Sequence, residues 1–277
     1  MRVCIHGAGL VLAACLAGCG GSGDLSGDLA ATQADYQIID LVTGGVEARA
    51  EVTDLASNPA WRDRHLVVRR LPERVAVIGQ AQGTYAAQPD EIPTSHTQAP
   101  CYLAVFELTR AQWRRIASDE PWLAVQPSSL AGVGGDDLPA CGISHDRAVA
   151  ALTAFRQRGV DFSLPDDEVW ESTAHQETAV FPWGDARDTA VVATAAVVAE
   201  TAGGTIGPQA VGGRAPAPSG CYDLIGNVAE WTSAGNLRGG SWSDPLSLAR
   251  PANVREVEPD LPLATAGVRV LFHPASR

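Results

Sequence analysis

The side chains best suited to metal binding lie close together in the segment GNVAEW, at Asn227 and Glu230. An amide oxygen and a carboxylate oxygen, three residues apart on a turn with backbone carbonyls between them, suit Ca²⁺. The same two side chains also suit a tight turn in which each hydrogen bonds to the backbone. The spacing therefore leaves two alternatives, a calcium site and a purely structural turn.

Cysteine and histidine show no comparable pattern. Of the six cysteines, Cys101, Cys141 and Cys221 lie well beyond the N-terminal segment, and no pair has the C-x-x-C spacing of zinc or thioredoxin-like sites. These three thiols allow either one disulfide plus a buried thiol, or three buried thiols. The histidines lack the H-x-x-x-H spacing of a helical metal site, which favours polar surface or core roles for them.

The composition excludes several functions. All 20 basic residues are arginine, and the absence of lysine excludes a Schiff-base lysine and a P-loop lysine. With 32 acidic residues the formal net charge is −12. Nucleic acid is therefore disfavoured as a partner, because phosphate binding needs a basic face. Hydrophobic residues make up 45% of the chain, which is enough for a sizeable core.

The N-terminus predicts a processed and lipidated chain. Arg2 supplies a positive n-region, and the apolar run over 7–16 is shorter than the roughly 20 residues that span a bilayer. The Leu-Ala-Gly-Cys that follows resembles a bacterial lipobox, which is cut before its cysteine. This assigns residues 1–18 to a lipoprotein signal peptide and lipidation to Cys19. An ordinary secretory signal is the alternative.

The segment after the cleavage site predicts how the chain is placed in the cell. Residues 19–35 are rich in Gly and Ser and predict a flexible tether. We expect a protein of the bacterial cell envelope that its N-terminal lipid binds to a membrane. Gly20 is not the Asp that commonly retains lipoproteins at the inner membrane, so the lipobox resemblance favours the outer membrane.

The rest of the chain alternates short apolar runs with turn residues, which predicts an irregular, loop-rich α+β fold with little regular secondary structure. We expect a lead-in strand within 36–65 and one domain over 66–277. Apolar runs and turn residues predict strands at 36–42, 66–71, 75–78, 101–106 and 267–272. Gly-, Gln- and Pro-rich residues 79–100 predict a loop, and 175–220 show little periodicity.

Three helices are expected from their start signals. Thr109 predicts an N-cap, and Gln112 stands at the third helical position of a capping box. Ser144 predicts the start of a second helix that Gly159 ends, and Asp166 predicts the cap of a third.

A series of motifs in a fixed order resembles the formylglycine-generating enzyme family, whose members are also called sulfatase-modifying factors. The series spans roughly residues 66 to 272. Its motifs are FELT at 106–109, PACGISHDRA at 139–148, LPDDEVWE at 164–171, FPWGD at 181–185, GCYDLIGNVAEWT at 220–232, RGGSW at 238–242 and GVRV at 267–270. The resemblance implies the irregular α+β fold of that family, which is related to C-type lectins. It also implies a calcium site formed by the side chains of Asn227 and Glu230 and the carbonyls of Val228 and Thr232.

The resemblance also defines the chemistry to expect. Family enzymes hold Cu(I) with two cysteines after the Gly-Gly-Ser motif and oxidise a substrate cysteine to formylglycine. The corresponding positions here are Asp244 and Ala249. Neither side chain is the soft thiolate that Cu(I) prefers, so copper is disfavoured as a cofactor. Whether the chain is an enzyme stays open on the sequence alone.

The function expected from these features is binding rather than oxidation. In the family a groove beside the Gly-Gly-Ser-Trp loop receives peptide substrate, and here Trp242, Asp244, Arg250 and Arg255 are its candidate lining residues. An aromatic ring with mixed charges suits a peptide, protein or glycan ligand, although Trp242 also suits core packing. One alternative is an active formylglycine-generating or other family oxidoreductase that modifies a cysteine-containing substrate. A second is a surface receptor diversified by a retroelement, whose variable tails are usually rich in Asn and Tyr.

Overall fold

A computed structural model describes residues 34–125, 135–175 and 178–274. The predicted signal peptide and the lipidation site Cys19 lie outside the described residues. No helix within the described ranges combines the length and apolar character needed to cross a bilayer.

The described residues form short strands and few helices, which confirms the predicted α+β class. The strands are β1 Tyr36–Asp40, β2 Val46–Arg49, β3 His65–Leu71, β4 Arg74–Ile78, β5 Thr94–Gln98, β6 Cys101–Ala104, β7 Asp161–Ser163, β8 Ala229–Trp231, β9 Asn236–Arg238, β10 Val254–Glu256, β11 Ala266–Gly267 and β12 Leu271–His273. The helices are α1 Arg110–Ala117, α2 Trp122–Val125, α3 His145–Phe155, α4 Asp167–Ala174 and α5 Thr189–Ala195. Short 3₁₀ turns lie at Pro59–Arg62, Arg156–Arg158 and Leu246–Leu248.

The largest sheet brings both halves of the chain together. Its strand order is β2-β1-β3-β6-β12-β7, and neighbouring strands are antiparallel. The late strand β12 lies between β6 and the edge strand β7, so a strand from late in the sequence joins two earlier ones. The predicted lead-in supplies β1, which pairs with β3 from Tyr36 to Asp40.

A second sheet has the order β10-β9-β8-β11, with β10 at one edge. Its strand β8 carries Glu230, and its strand β9 ends at Arg238 immediately before Gly239-Gly240. The loop between β9 and β10 therefore starts with the Gly-Gly-Ser-Trp motif and contains the 3₁₀ turn Leu246–Leu248. This sheet positions the predicted calcium and groove residues.

The predicted helix starts are confirmed. The hydroxyl of Thr109 accepts a hydrogen bond from the Gln112 backbone N–H (3.1 Å), and the Gln112 side chain accepts from the Thr109 N–H (3.1 Å), which forms the capping box. The hydroxyl of Ser144 and the carboxylate of Asp166 cap α3 and α4. A 3₁₀ turn follows α3 and ends at Gly159, whose φ of 82° is left-handed.

Three expectations differ from the structure. The predicted loop 79–100 contains β5, which pairs with β4; its sequence TSHTQ is polar and carries no alternating apolar pattern. The irregular region 175–220 contains α5, which no side chain caps. The predicted last strand is split into β11 and β12, because its residues leave one sheet and enter the other.

The largest cluster of buried apolar side chains joins the six-stranded sheet to α1 and α3. It includes Trp113, Phe155, Phe162 and Trp231. The indole N–H of Trp231 donates to the carbonyl of Ile143 (2.7 Å), so this large ring is buried without an unsatisfied donor. The packing explains how a domain with little regular structure holds β8 in a fixed place.

Candidate functional site

A buried ion pair lies at the centre of the GNVAEW segment. The Glu230 carboxylate accepts hydrogen bonds from Arg269 Nε (3.0 and 2.9 Å) and Arg269 Nη2 (2.6 Å). Its Oε2 also accepts from the indole Nε1 of Trp170 (2.6 Å). Both side chains of the pair are at most 1% exposed. Both carboxylate oxygens of Glu230 thus accept hydrogen bonds from protein donors.

The Asn227 side chain hydrogen bonds to two other segments of the chain, at Glu107 and Gln209. Its Nδ2 donates to Glu107 Oε2 (2.6 Å), and its Oδ1 accepts the backbone N–H of Gln209 (2.8 Å). The backbone N–H of Val228 donates to Glu107 Oε1 (3.0 Å). Asn227 has a left-handed φ of 58°, a conformation that Asn tolerates better than most residues. The segment therefore forms a structural turn that is hydrogen bonded throughout.

These contacts do not fit a calcium ion on the four predicted ligands. The oxygens of Asn227 and Glu230 already face N–H donors, and the Arg269 guanidinium would repel a cation at Glu230. The Thr232 carbonyl accepts the backbone N–H of Gly235 (3.0 Å). Within the described ranges, no group of three or more His, Cys, Asp or Glu side chains is arranged to hold a metal. The calcium site stays a prediction from the resemblance, and this geometry weighs against it.

The ion pair belongs to a buried group with excess acid. Glu107, Asp223 and Glu230 are at most 4% exposed and share the Arg269 guanidinium. Burial, followed by repulsion from the neighbouring carboxylates, raises the pKa of Glu107 well above its ordinary value. Burial also raises the pKa of Asp223 to about 6, although a hydrogen bond from the Gly212 N–H opposes this shift. The raised pKa values mean that this buried group carries less negative charge than its three carboxyls would in water.

The two positions that the sequence resemblance assigns to copper-binding cysteines, Asp244 and Ala249, have structural roles here. The Asp244 carboxylate accepts the backbone N–H and the hydroxyl of Ser241 (2.9 and 2.6 Å), and it closes the turn after Gly240. Ala249 is fully buried against Gly240, where a Cβ would lie 2.8 Å from the Ala249 Cα. The two glycines after Arg238 therefore allow a close backbone approach, because neither carries a Cβ.

The described thiols do not replace the missing pair. Cys101, Cys141 and Cys221 are all free. Burial raises the pKa of Cys101 to about 12 and that of Cys141 to about 11, and it also raises the pKa of Cys221. All three are therefore neutral thiols at physiological pH, whereas Cu(I) binding and nucleophilic attack need thiolates.

A cavity of about 490 Å³ lies on the second sheet beside the Gly-Gly-Ser-Trp loop. Of the four candidate groove residues, Asp244 and Arg255 line this cavity, together with the exposed side chains of Leu248 and Val254. Trp242 is half-buried outside this lining, and no described residue accepts a hydrogen bond from its buried indole N–H.

Arg250 is a framework residue rather than a groove residue. Its side chain is fully buried and pairs with Glu91 through Nη1 (2.6 Å) and Nη2 (2.8 Å). Nη1 also donates to Gln80 Oε1 (2.7 Å), and Nε donates to the carbonyl of Ser247 (2.8 Å). Sequence reasoning missed Glu91 and Gln80, since both lie in the irregular segment between β4 and β5, where no periodic pattern distinguishes a buried side chain.

Comparisons with known proteins agree with this architecture. Residues 67–274 match the family model of the sulfatase-modifying factor enzyme 1-like domain. The chain is structurally similar to PvdO from Pseudomonas aeruginosa, with 19% identity, a TM-score of 0.65 and coverage of 75% of this chain and 94% of that one. No curated protein sequence matches.

Two further solved structures share the fold. Treponema denticola variable protein 1 has 15% identity, a TM-score of 0.63 and coverage of 76% of this chain and 96% of that one. CarF has 16% identity, a TM-score of 0.55 and coverage of 75% and 99%. At these identities the similarity shows the fold alone, whereas the family model covers most of the chain. The chain therefore belongs to the sulfatase-modifying factor family, with its family domain at residues 67–274.

Proposed function

We propose that this chain is a lipid-anchored protein of the bacterial cell envelope, and that its domain binds a peptide at the cavity beside β10. In this proposal the domain has lost the copper-thiolate oxidation of cysteine. The observation that carries the proposal is the cavity itself, which lies beside the Gly-Gly-Ser-Trp loop, where the resemblance implies substrate binding. The two positions that the resemblance assigns to copper-binding cysteines hold Asp244 and the buried Ala249.

The edge of the second sheet favours a peptide over a glycan as the ligand. Strand β10 is at the end of the strand order, and among the described strands it pairs with β9 alone. Its residues Val254, Arg255 and Glu256 are all exposed and also line the cavity. An edge strand can accept an extended peptide through main-chain hydrogen bonds, while an adjacent pocket selects side chains.

The first prediction concerns binding at this cavity. On an array of short peptides, Arg255→Ala and Leu248→Asp should each weaken the strongest peptide signals about tenfold, because both residues line the cavity. Arg156→Ala is the matched control, since Arg156 is an exposed arginine that pairs with Asp161 away from the cavity. If the protein instead binds selectively to a glycan array, the ligand of this cavity is a glycan and not a peptide. Unchanged peptide binding by both cavity variants would refute the site.

The second prediction concerns the lost oxidase chemistry. With Cu(I), O₂ and a peptide containing Cys-x-Pro-x-Arg, the protein should yield no aldehyde above a sample without protein, because the described thiols are neutral and the two copper positions lack sulfur. Peptide mass, read as loss of the thiol and gain of the aldehyde, is the measurement. Aldehyde formation would show that another thiol pair binds the copper.

The third prediction concerns the anchor. Cys19→Ser should move the protein from the membrane fraction to the soluble fraction and should remove the mass of the lipid, because the thiol is the site of acylation in a lipobox. Cys15→Ser, a cysteine inside the predicted signal peptide, is the control and should leave the mature mass unchanged. Membrane association of the Cys19 variant would point instead to a retained N-terminal segment.

A further inference from the structure

A second cavity, of about 250 Å³, shares no lining residue with the proposed peptide site. Its walls come from the end of α5, from the loop 215–218 and from the residues just before Asn227. The cavity corresponds to about eight water molecules, at roughly 30 Å³ each. It is therefore large enough for a small organic molecule of about eight heavy atoms.

The walls of this cavity are apolar and held in place. Trp183 stacks on Phe181 with ring centroids 4.8 Å apart and an interplanar angle of 1°, and its Nε1 donates to the Ala186 carbonyl (2.9 Å). The Ala215 N–H donates to the carbonyl of Thr194 (2.8 Å), which ties the loop to α5. Prolines at 216 and 218 stiffen the same loop. The cavity is thus formed before any ligand arrives.

One carboxyl group is the polar feature of the lining. Asp223 is the only ionisable residue among the described residues that line the cavity, and its side chain is 4% exposed. Its Oδ2 accepts the backbone N–H of Gly212 (2.6 Å), whereas no donor in the described chain reaches Oδ1. Oδ1 is not one of the fully enclosed side-chain atoms, so it is the carboxylate oxygen that a ligand in the cavity can reach.

The carboxylate of Asp223 favours a cation over a neutral donor as the ligand. Glu230 adds negative charge near Asp223, whereas Arg269 and Arg214 add positive charge that favours its ionised form. Arg269 is committed to Glu230 and to backbone carbonyls. With a pKa of about 6, Asp223 is mainly ionised at pH 7.5. An ionised carboxylate that is only 4% exposed beside apolar walls attracts a positive charge more strongly than it would in water.

We propose that this cavity binds a small organic cation, a primary amine on a compact apolar body. The ammonium group donates to Asp223 Oδ1, and the apolar body packs against Trp183 and the two prolines. This site is independent of the proposed peptide site, which lies on the second sheet.

The experiment compares two probes of the same shape with the purified full chain. Benzylamine carries the ammonium group, whereas benzyl alcohol replaces it with a neutral hydroxyl. We expect benzylamine to bind at least about tenfold more tightly than benzyl alcohol in ligand-observed NMR titrations at pH 7.5. Equal affinities of the two probes, or no binding of benzylamine at tens of millimolar, would overturn the proposal.

Asp223→Asn tests the carboxylate directly. The amide oxygen can still accept the Gly212 N–H, and Asn tolerates the left-handed φ of 56° at this position. Benzylamine affinity should fall about tenfold, while benzyl alcohol affinity and circular dichroism stay unchanged. Asp188→Asn, at an exposed aspartate before α5, is the matched control and should retain benzylamine binding. Retained binding by Asp223→Asn would contradict the assignment.

A second variant keeps the test decisive if Asp223→Asn does not fold. Ala195 is half-buried at the end of α5 and lines the cavity. Ala195→Leu fills part of the space with a good helix-forming residue, and it should abolish benzylamine binding without touching Asp223. Undiminished binding by Ala195→Leu would place the amine elsewhere and refute the cavity as the site.

Discussion

Replacing Arg269 by methionine should lower the free energy of unfolding by about 3 to 5 kcal/mol, the usual cost of removing one partner of a buried ion pair. The substitution leaves the Glu230 carboxylate buried beside Trp170 with no cation. It also removes donors to the carbonyls of Ala104 (2.9 Å), Val105 (3.0 Å) and Tyr222 (2.7 Å). For a domain of this size the melting temperature should fall by about 6 to 20 °C.

Two comparisons separate the buried charge from general damage. Arg156→Met changes an exposed arginine and should alter stability by less than about 1 kcal/mol. Adding Glu230→Gln to Arg269→Met removes the unpaired carboxylate and should recover part of the loss. A loss below about 1 kcal/mol for Arg269→Met would mean that water reaches Glu230. Millimolar calcium should leave the wild-type melting temperature unchanged. A clear rise in the melting temperature would instead support the calcium site that the resemblance implies.

The second large effect is expected at the Arg250–Glu91 pair. Glu91→Ala should destabilise the domain by about 3 to 5 kcal/mol, because the fully buried Arg250 guanidinium then lacks its carboxylate partner. The pair ties the segment between β4 and β5 to the loop that also lines the peptide cavity. Denaturant unfolding gives the free energy, and peptide affinity should fall in the same variant because the loop is no longer held.

The double variant Glu91→Leu/Arg250→Met is the control that separates the cost of an unpaired buried charge from the absence of the ion pair itself. It replaces both ions by apolar groups of similar size, an exchange that is often neutral or stabilising. We therefore expect it to be more stable than Glu91→Ala alone. If Glu91→Ala unfolds at the same denaturant concentration as the wild type, the pair contributes nothing to stability.

The local elements of this fold were predictable because their signals are local. Thr109 with Gln112, Ser144 and Asp166 each satisfy the first free N–H groups of a helix within three residues, so their sequence spacing alone marks the start. The polar strand β5 was not predictable, since a strand of a two-stranded sheet with little burial needs no apolar alternation. Its partner β4 decides its conformation.

The order of the motifs predicted the family, and the replacement of two cysteines by Asp244 and Ala249 could be read directly from the chain. The partners of each buried charge could not, since Arg250 finds Glu91 across 159 residues and Arg269 finds Glu230 across 39. A guanidinium in a sequence looks the same whether it lies in a groove or in a core. Its role is set by desolvation and by the carboxylate that the fold brings to it. The burial of Arg250, the hydrogen bonds to Asn227 and Glu230, and the position of Asp223 at a cavity were therefore decided only by three-dimensional packing.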